Sequence, residues 1–346
     1  MVSSLNNRPW LAFMEKLVGD SVAGPRETEL PQLFCCRLEK QPDHLVAGRY
    51  LISQAGAELA NACLLVNPEC VFTQDGELPD QFSDASWLLS NFDLHGTVVW
   101  VKDSGTETLL PFWLGQELAN VLSRTSPGAL APDLPAHWRS VLQMAGVLVP
   151  ENFKTEACSR WAEKVSCSGA AFRQKKYVPV AGLIHPFHLA ALRRYYRRLI
   201  RTRRISLGDE QSPRRYAAHN ESVARFFHHQ LASAVTAIAG EPVKPSYVYV
   251  ASYQSGAELE KHTDREQCEF SISLCLDYWP EPRNETPWPL KLETDSGQVA
   301  IFQGIGDGLL YRGCELPHWR DRLPEGHMST SIFFHYVPAD FAGPLD

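Results

Sequence analysis

The chain has 346 residues, 44% of them hydrophobic, and a formal net charge of −7 at pH 7, which favours two domains with substantial apolar cores. The negative charge disfavours a general polyanion binder, and the sequence shows neither a run of about eighteen apolar residues nor a signal-peptide pattern, so we expect neither membrane insertion nor export. The nine cysteines contain no C-x-x-C pair, which predicts reduced thiols in the cytoplasm rather than disulfides or a zinc site.

Residues 1–150 are predicted to form a smaller N-terminal accessory domain of mixed α/β structure. The predicted elements are strands at 45–52 and 63–72, a hairpin of 98–101 and 108–110, and helices at 114–122 and 136–145. A hairpin beside short helices resembles a winged-helix module, similar in outline to the leader-binding domains of enzymes that modify ribosomal peptides. The resemblance implies a domain that binds a carrier or leader peptide. The alternative is a domain that only packs against the rest of the chain or forms a homodimer contact.

Residues 151–180 are predicted to form a linker region, because 158–174 is rich in small and polar residues. Beyond it, Pro186 is suited to the first position of a helix with an apolar stripe. This helix begins the block 193–215, which contains nine arginines. The block would suit an anionic partner such as nucleic acid, a carrier or an acidic peptide, but we favour a solvated helix face.

A second helix is predicted from 221 to 239, with Asn220 as its N-cap and Gly240 at its end. It would brace the outer face of a sheet. Six histidines are interpreted as packing or surface residues rather than metal ligands: His185, His188, His219, His228, His229 and His335. Of these, His335 has a strand face that could point into the interior.

The last third of the chain is rich in short predicted strands with glycine, proline and aspartate turns between them. They lie at 245–253, 259–264, 270–276, 299–302, 309–311 and 330–337. Residues 181–346 are therefore predicted to form a double-stranded β-helix, or jelly roll, braced by helices, which makes the chain α+β. The loop 280–289, which contains Trp288, either shapes substrate entry or caps the sheet.

His262 and Asp264 form an H-x-D pair. On an extended segment, side chains two apart project from the same side, so both can reach one ion while Thr263 points away. The strand 309–311 is predicted to bring His318 to the same point. Two imidazoles and one carboxylate are the ligand set of non-haem Fe(II) sites, which leave the opposite coordination positions free for a co-substrate and O2. The sequence therefore predicts that these three residues are the metal ligands and the catalytic centre.

The order of these residues resembles the prolyl-hydroxylase-like group of iron(II)- and 2-oxoglutarate-dependent oxygenases. The resemblance covers roughly residues 185–340, and its positions are Tyr253, Gly256, His262, Asp264, Gly306, Asp307, His318, Gly326, His327 and Ser329. It implies that the three ligands hold Fe(II), that 2-oxoglutarate chelates the ion as co-substrate, and that O2 is used to oxidise an unactivated C–H bond. Related halogenases have a small residue in place of the ligand carboxylate, whereas this chain has Asp264. Hydroxylation, desaturation and ring closure all stay open.

The sequence departs from the family at the residue that binds the far carboxylate of 2-oxoglutarate. Many relatives have Arg or Lys about nine or ten residues after the distal histidine, and in this chain the position holds His327. Tyr253 and Ser329 are candidate hydroxyl donors. Arg320 and Arg312 are alternative cations, because a guanidinium binds a carboxylate through two N–H groups. On a strand shared with the distal histidine, Arg320 would lie on the same face.

The sequence thus predicts an oxidoreductase, a metal-binding 2-oxoglutarate-dependent dioxygenase. Its substrate would be an amino acid, a peptide or a carrier-bound natural-product intermediate, and hydroxylation is the simplest reaction. Two alternatives are a nucleic-acid-binding regulator that uses the N-terminal module and the arginine-rich helix, and a catalytically silent metal-binding relative. The second would account for His327 in place of a strong cation.

Overall fold

The computed structural model describes residues 32–38, 63–209 and 212–346, so the strand predicted at 45–52 lies outside the described residues. The described helices are α1 Gln116–Leu122, α2 Ala136–Met144, α3 Phe153–Lys175, α4 Pro186–Arg201 and α5 Ser222–Ala239. The strands before α3 are β1 Arg37–Leu38, β2 Leu64–Val66, β3 Cys70–Gln74, β4 Thr97–Lys102, β5 Leu109–Leu114 and β6 Leu148–Pro150. The strands after α3 are β7 Tyr177–Val180, β8 Arg215–His219, β9 Val243–Tyr253, β10 Leu259–His262, β11 Phe270–Trp279, β12 Leu290–Thr294, β13 Gly297–Ile301, β14 Gly308–Tyr311, β15 His318–Arg320 and β16 Met328–Pro338.

Two antiparallel sheets in the C-terminal half of the chain pack face to face. The larger has the strand order β7-β14-β11-β16-β9-β8, and the smaller has the order β10-β15-β12-β13. Tyr253 of β9 packs on Trp288, just before β12, with ring centroids 5.2 Å apart. Leu290 and Leu292 of β12 share an apolar cluster with Tyr311 of β14. This is the two-sheet arrangement of the predicted jelly roll, and the space between the sheets is called the barrel interior below.

The central strands β9, β11 and β16 have different chemistry on their two faces. One face packs under α5, where the Tyr336 hydroxyl donates to the His228 carbonyl at 2.9 Å. The opposite face carries small polar side chains, including Ser271, Ser273 and Ser331, all fully buried. The alternation of apolar and small residues produces this division, because successive side chains in a strand point to opposite faces.

Residues 151–180, predicted as a linker, form regular structure instead. The helix α3 is 23 residues long, and β7 extends the larger sheet by pairing antiparallel with β14. Few α3 side chains are buried, among them Phe172. Its alanine, glutamate, lysine and arginine residues give the segment a small and polar composition, but these residue types are also strong helix formers. Composition therefore wrongly predicted a linker.

The two predicted helices of the C-terminal half are confirmed with one change. The helix α4 begins at Pro186, and Gly240, with a φ of 81°, ends α5. The N-cap of α5 is Glu221 rather than Asn220, since the Glu221 carboxylate accepts two backbone N–H groups of the first turn. Asn220 instead accepts the backbone N–H of Val248 through its side-chain oxygen. Within the described ranges, no helix has the length and apolar character needed to cross a bilayer.

The arginine block is divided between ion pairs and solvent. Arg193 is 5% exposed and donates to Asp277 at 2.9 Å and to Glu281 at 3.0 Å. Arg197 also pairs with Asp277, whereas Arg194 and Arg198 are exposed. The predicted solvated face is therefore correct for part of the block, and carboxylates bind Arg193, Arg197 and Arg215.

The front part of the chain packs against α4 and α5. Its sheet has the order β1-β5-β4-β3 and contains the predicted hairpin as β4 and β5, while the strand predicted at 63–72 is two strands, β2 and β3. Phe112 lies 4.6 Å from His188 of α4, and Phe82 lies 5.7 Å from Phe226 of α5, measured between ring centroids. These contacts give the front part a packing role. Its binding of a carrier or leader peptide stays a prediction, as does the division into domains.

Candidate metal centre

The three predicted ligands meet at one end of the smaller sheet. His262 ends β10 and lies opposite His318, the first residue of β15, with a bulge-like register shift just before it. Asp264 follows two residues later, and its backbone N–H donates to the Gly313 carbonyl at 3.0 Å. Nε2 of each histidine lies 3.5 Å from Asp264 Oδ1, and one ligand atom from each residue lies within 4.8 Å of the others. Ligand atoms on one octahedral ion are about 3 Å apart, so this set is close to bonding geometry.

The hydrogen bonds of the two histidines present the correct ring nitrogen for a metal. Nδ1 of His262 lies 2.7 Å from the Glu260 carbonyl, and Nδ1 of His318 lies 2.9 Å from the Leu316 carbonyl. A carbonyl only accepts, so each Nδ1 carries a proton, and in the neutral ring each Nε2 has a lone pair to offer a metal. Such outer hydrogen bonds fix the tautomer and the ring orientation of metal-binding histidines.

Asp264 is held ionised. Burial opposes the charged form, but the hydrogen bond with His262 and the electrostatic interactions with the His318 and His335 rings, which are protonated at the low pH where this carboxyl titrates, outweigh it and lower the pKa of Asp264 to about 2. Burial lowers the pKa of His318 below its ordinary value, which favours the neutral ligand form. The hydrogen bond to Asp264 raises the pKa of His262 above its ordinary value, and a bound divalent ion would take the place of that proton on Nε2. The donor set offered to a metal is therefore two imidazoles and one carboxylate, as a divalent iron site requires.

Three residues outside the predicted ligand set lie behind the Asp264 carboxylate. Its Oδ2 is 3.2 Å from Ser271 Oγ, which in turn is 2.8 Å from Nδ1 of His335. A Cβ atom at Gly313 would lie 2.3 Å from the same Oδ2, so only glycine fits there without displacement. The sequence predicts a packing role for His335. Its place on a strand face that could point into the interior is the one sequence feature that indicates a role at the site.

A second group could also surround an ion: Asp264, Cys268 and His335 have ligand atoms within 4.8 Å of one another. Burial raises the pKa of the Cys268 thiol to about 12, so the sulfur is protonated. The Ser271 hydroxyl also bridges the other two residues. The set with two free imidazole nitrogens is the better metal site.

Arg320 lies two residues after His318 on β15 and, as predicted, on the same buried face. Its Nη1 donates to the Trp288 carbonyl at 2.6 Å and its Nη2 to Gln303 Oε1 at 3.2 Å. Within the described residues it makes no ion pair, and its Nε has no hydrogen-bond partner. Burial lowers its pKa, while the neighbouring Tyr253 raises it. A buried cation without a counter-charge is costly, so the surroundings of Arg320 are suited to an anion.

The surroundings of Arg320 contain further polar groups directed into the barrel interior. Cys275 of β11 lies close enough to Arg320 to interact with its charge, and Ser331 of β16 lies directly opposite Cys275. The Ser331 hydroxyl has no partner among the described residues. Tyr311, another neighbour of Arg320, has its hydroxyl 3.5 Å from Nε2 of His318 and so lies between Arg320 and the metal centre.

The other candidate anchors occupy distinct places. Tyr253 is buried, and its hydroxyl lies 3.5 Å from Arg215 Nη1. Ser329 is buried opposite Tyr253. Nδ1 of the half-buried His327 is 2.8 Å from the Tyr278 hydroxyl, which gives this ring a neutral partner.

Arg312, unlike Arg320, has carboxylate partners. It pairs with Glu241 and Glu269. Among the two arginines considered, the structure therefore favours Arg320 as the cation of the barrel interior.

One expectation about a neighbouring segment is corrected. The strand predicted at 309–311 is β14 of the larger sheet, and His318 reaches the site on a separate strand, β15, of the smaller sheet. Trp288, predicted to shape an entrance or cap the sheet, is 2% exposed and packs on the guanidinium of Arg320 at 4.8 Å. The six residues between β14 and β15 allow the chain to change sheets, which the strand pattern did not reveal.

Comparison with known proteins finds no matching family model and no matching curated protein. Solved structures do resemble the chain. The non-haem α-ketoglutarate-dependent epimerase SnoN from nogalamycin biosynthesis matches at 14% identity and a TM-score of 0.43, covering 52% of this chain and 88% of its own. HygX from Streptomyces hygroscopicus, solved with nickel, 2-oxoglutarate and hygromycin B bound, matches at 13% identity and a TM-score of 0.40, covering 50% and 86%.

A prolyl-4-hydroxylase from Pseudomonas putida matches at 15% identity and a TM-score of 0.40, covering 50% of this chain and 98% of its own. Two of these three structures are described with α-ketoglutarate or 2-oxoglutarate, and the third is described as a prolyl-4-hydroxylase. At these identities and TM-scores the likeness does not define a reaction, so the chemistry has to be read from the chain's own residues.

Proposed function

We propose that the chain is an Fe(II)- and 2-oxoglutarate-dependent oxygenase. The observation that carries the proposal is the convergence of His262 Nε2, Asp264 Oδ1 and His318 Nε2 within 4.8 Å, with both imidazole tautomers fixed for metal binding. Oxidation of a C–H bond coupled to the decarboxylation of 2-oxoglutarate to succinate is the chemistry that Fe(II) and O2 supply in such a site.

Arg320 supports the choice of 2-oxoglutarate as co-substrate. The keto acid carries a second carboxylate beyond the part that chelates iron, and Arg320 offers a free Nε in a pocket next to the centre. A charge-assisted hydrogen bond to a carboxylate would supply the missing partner. The unpaired Ser331 hydroxyl would donate to the same group, and Tyr311 would line the path between the two sites.

The two histidines differ in their contact with solvent. The side chain of His262 is 36% exposed, whereas that of His318 is 3% exposed. The centre therefore opens towards solvent on the His262 side, where a substrate can enter, and is closed on the Arg320 side. Exclusion of water from the inner side keeps the carboxylate pocket at low dielectric, which strengthens its charge interactions.

The substrate proposed from the sequence is an amino acid, a peptide or a carrier-bound intermediate, and the simplest reaction is hydroxylation. Two observations weaken the alternatives. Arg193 and Arg197 are engaged by Asp277, which removes them from a surface for nucleic acid. Arg320 would supply the strong cation that is missing at position 327. The presence of His327 there therefore does not imply a catalytically silent protein.

Anaerobic mixing of the purified full chain with Fe(II) and 2-oxoglutarate tests the proposal. A visible charge-transfer band is expected from chelation of the ion by the keto acid. Succinate release should follow when O2 is admitted with a substrate from one of the three classes. Asp264→Ala should show no band, and a wild-type chain without a band would contradict the proposal.

A further inference from the structure

Asp264 differs from the two histidines in the partner of its non-ligand atom. Its Oδ2 contacts a side chain, Ser271, whereas Nδ1 of each histidine contacts a backbone carbonyl. Oδ1 faces the two histidine nitrogens at 3.5 Å each, and Oδ2 faces Ser271 Oγ at 3.2 Å. Ser271 is fully buried on β11, and His335 lies directly opposite it on β16. The two oxygens of one carboxylate thus have separate surroundings.

The direction of these hydrogen bonds follows from the chemistry of the groups. An ionised carboxylate only accepts, so a bond between Ser271 and Asp264 uses the one hydroxyl proton of the serine. Ser271 Oγ can then only accept from Nδ1 of His335, 2.8 Å away. The neutral imidazole therefore carries its proton on Nδ1. The chain of bonds runs from His335 to Ser271 to Asp264.

His335, the outer residue of this series of hydrogen bonds, is also held in place. The His335 ring lies 4.6 Å from the Tyr247 ring and is 6% exposed. Tyr247 contacts the Cys268 sulfur at 3.0 Å, and the Cys268 carbonyl lies 3.3 Å from Ser271 Oγ. The serine therefore has a second acceptor in reach, and the ionised carboxylate of Asp264 is the stronger of the two acceptors.

We propose that Ser271 and His335 are positioning residues that hold Asp264 as a one-oxygen ligand, with Oδ2 tied back and Oδ1 directed to the metal. The inference rests on the proposed function and concerns only how the carboxylate is presented. Without the two residues, Oδ2 is free to rotate towards the ion or towards solvent, and the ligand set is less ordered before the metal arrives.

The test uses Co(II) as a spectroscopically visible substitute for Fe(II), with the full chain, no 2-oxoglutarate and no O2. Ser271→Ala and His335→Leu should each weaken Co(II) binding by about 10–100-fold, the range for partners of metal ligands, and change the d–d absorption band. His335→Asn keeps an N–H near the Nδ1 position and should bind within about threefold of wild type by the same reasoning. Because both residues act through one chain of bonds, the double variant should bind no worse than Ser271→Ala.

Ser273→Ala is the matched control. Ser273 is two residues along β11 on the same face, is equally buried, and its hydroxyl has no partner among the described residues. Its Co(II) affinity should equal that of wild type. The proposal is overturned if Ser271→Ala binds Co(II) like wild type, or if the variants lose only thermal stability in the metal-free state.

The comparison of His335→Asn with His335→Leu decides the matter if Ser271→Ala does not fold. Equal Co(II) affinities of these two variants would overturn the proposal. Failure of the wild-type chain to bind Co(II) or Fe(II) at all would instead remove the proposed function, and the inference with it.

Discussion

The two ends of the barrel interior differ in how completely their polar atoms are satisfied. At the metal end, both histidine Nδ1 atoms and Asp264 Oδ2 have protein partners, and only the three ligand atoms are left for an ion. At the Arg320 end, Arg320 Nε and the Ser331 hydroxyl are buried without described partners. Buried polar groups are rarely left unpaired. The metal end is therefore organised before an ion binds, whereas the polar atoms at the Arg320 end would gain their partners from a bound anion.

The largest effect is expected from removing a ligand at the organised end. His318→Ala should reduce Fe(II) or Co(II) affinity by more than about 100-fold, since even loss of an outer partner costs about 10–100-fold. Thr263→Ala, between the other two ligands, is the control and should bind normally. Metal titration under anaerobic conditions measures both. Normal metal binding by His318→Ala would place the centre elsewhere.

The next effect is expected at the incomplete end. Arg320→Met should weaken 2-oxoglutarate binding to the metal-loaded chain by about 10–100-fold, equivalent to one charged hydrogen bond of about 1.5–3 kcal/mol. Its metal affinity should stay close to wild type. Arg312→Met is the matched control, because Arg312 pairs with Glu241 and Glu269. Titration of the visible band with 2-oxoglutarate measures the difference, and equal affinities of the two variants would exclude Arg320 as the anchor.

A smaller effect is expected from crowding the Asp264 carboxylate. Gly313→Ala places a methyl group 2.3 Å from Oδ2 and 2.6 Å from the Cys268 carbonyl, so the carboxylate or the backbone has to move. We expect about a tenfold or greater loss of Co(II) affinity, as for other disturbances of a ligand's surroundings. Gly115→Ala has no atom within 4 Å of the new methyl group and serves as the control. Unchanged Co(II) binding by Gly313→Ala would show that the Asp264 position is tolerant.

The smallest effect is expected from Ser331→Ala, at the Arg320 end, and it is measured as a change in the unfolding free energy. Ser331→Ala removes a hydroxyl that lacks a partner, so the metal-free chain should lose no stability and could gain up to about 1 kcal/mol of unfolding free energy. Affinity for 2-oxoglutarate should fall by a few-fold. Chemical denaturation and the band titration measure the two quantities. A large loss of stability in Ser331→Ala would show that the hydroxyl is already satisfied in the folded chain.

Local patterns were sufficient for the strands and helices that have strong periodicity. The 3.6-residue stripe predicted α4, and the alternation of apolar and small residues predicted β9, β11 and β16. Composition was a poor guide where a helix buries little of its surface, and α3 was predicted as a linker for that reason. Capping failed by one residue at α5, because Asn220 and Glu221 are both capable acceptors and only the backbone path selects between them.

The candidate ligands could be predicted because the pair His262 and Asp264 depends on local spacing, and His318 lies in a segment with strong turn signals. Ser271, Gly313 and His335 could not be predicted in the same way. Each is an unremarkable residue type in its own strand or turn, and its meaning appears only where three separate segments meet behind the Asp264 carboxylate.

The sequence by itself determined the kind of candidate ligand, two imidazoles and a carboxylate, since residue chemistry does not depend on the fold. The tertiary structure decided which cation lies in the barrel interior, because Arg320 and Arg312 are equivalent as residue types and differ only in burial and partners. It also decided which oxygen of Asp264 is free. Contacts between remote strands set both outcomes, and their register is fixed by the packing of the whole double sheet.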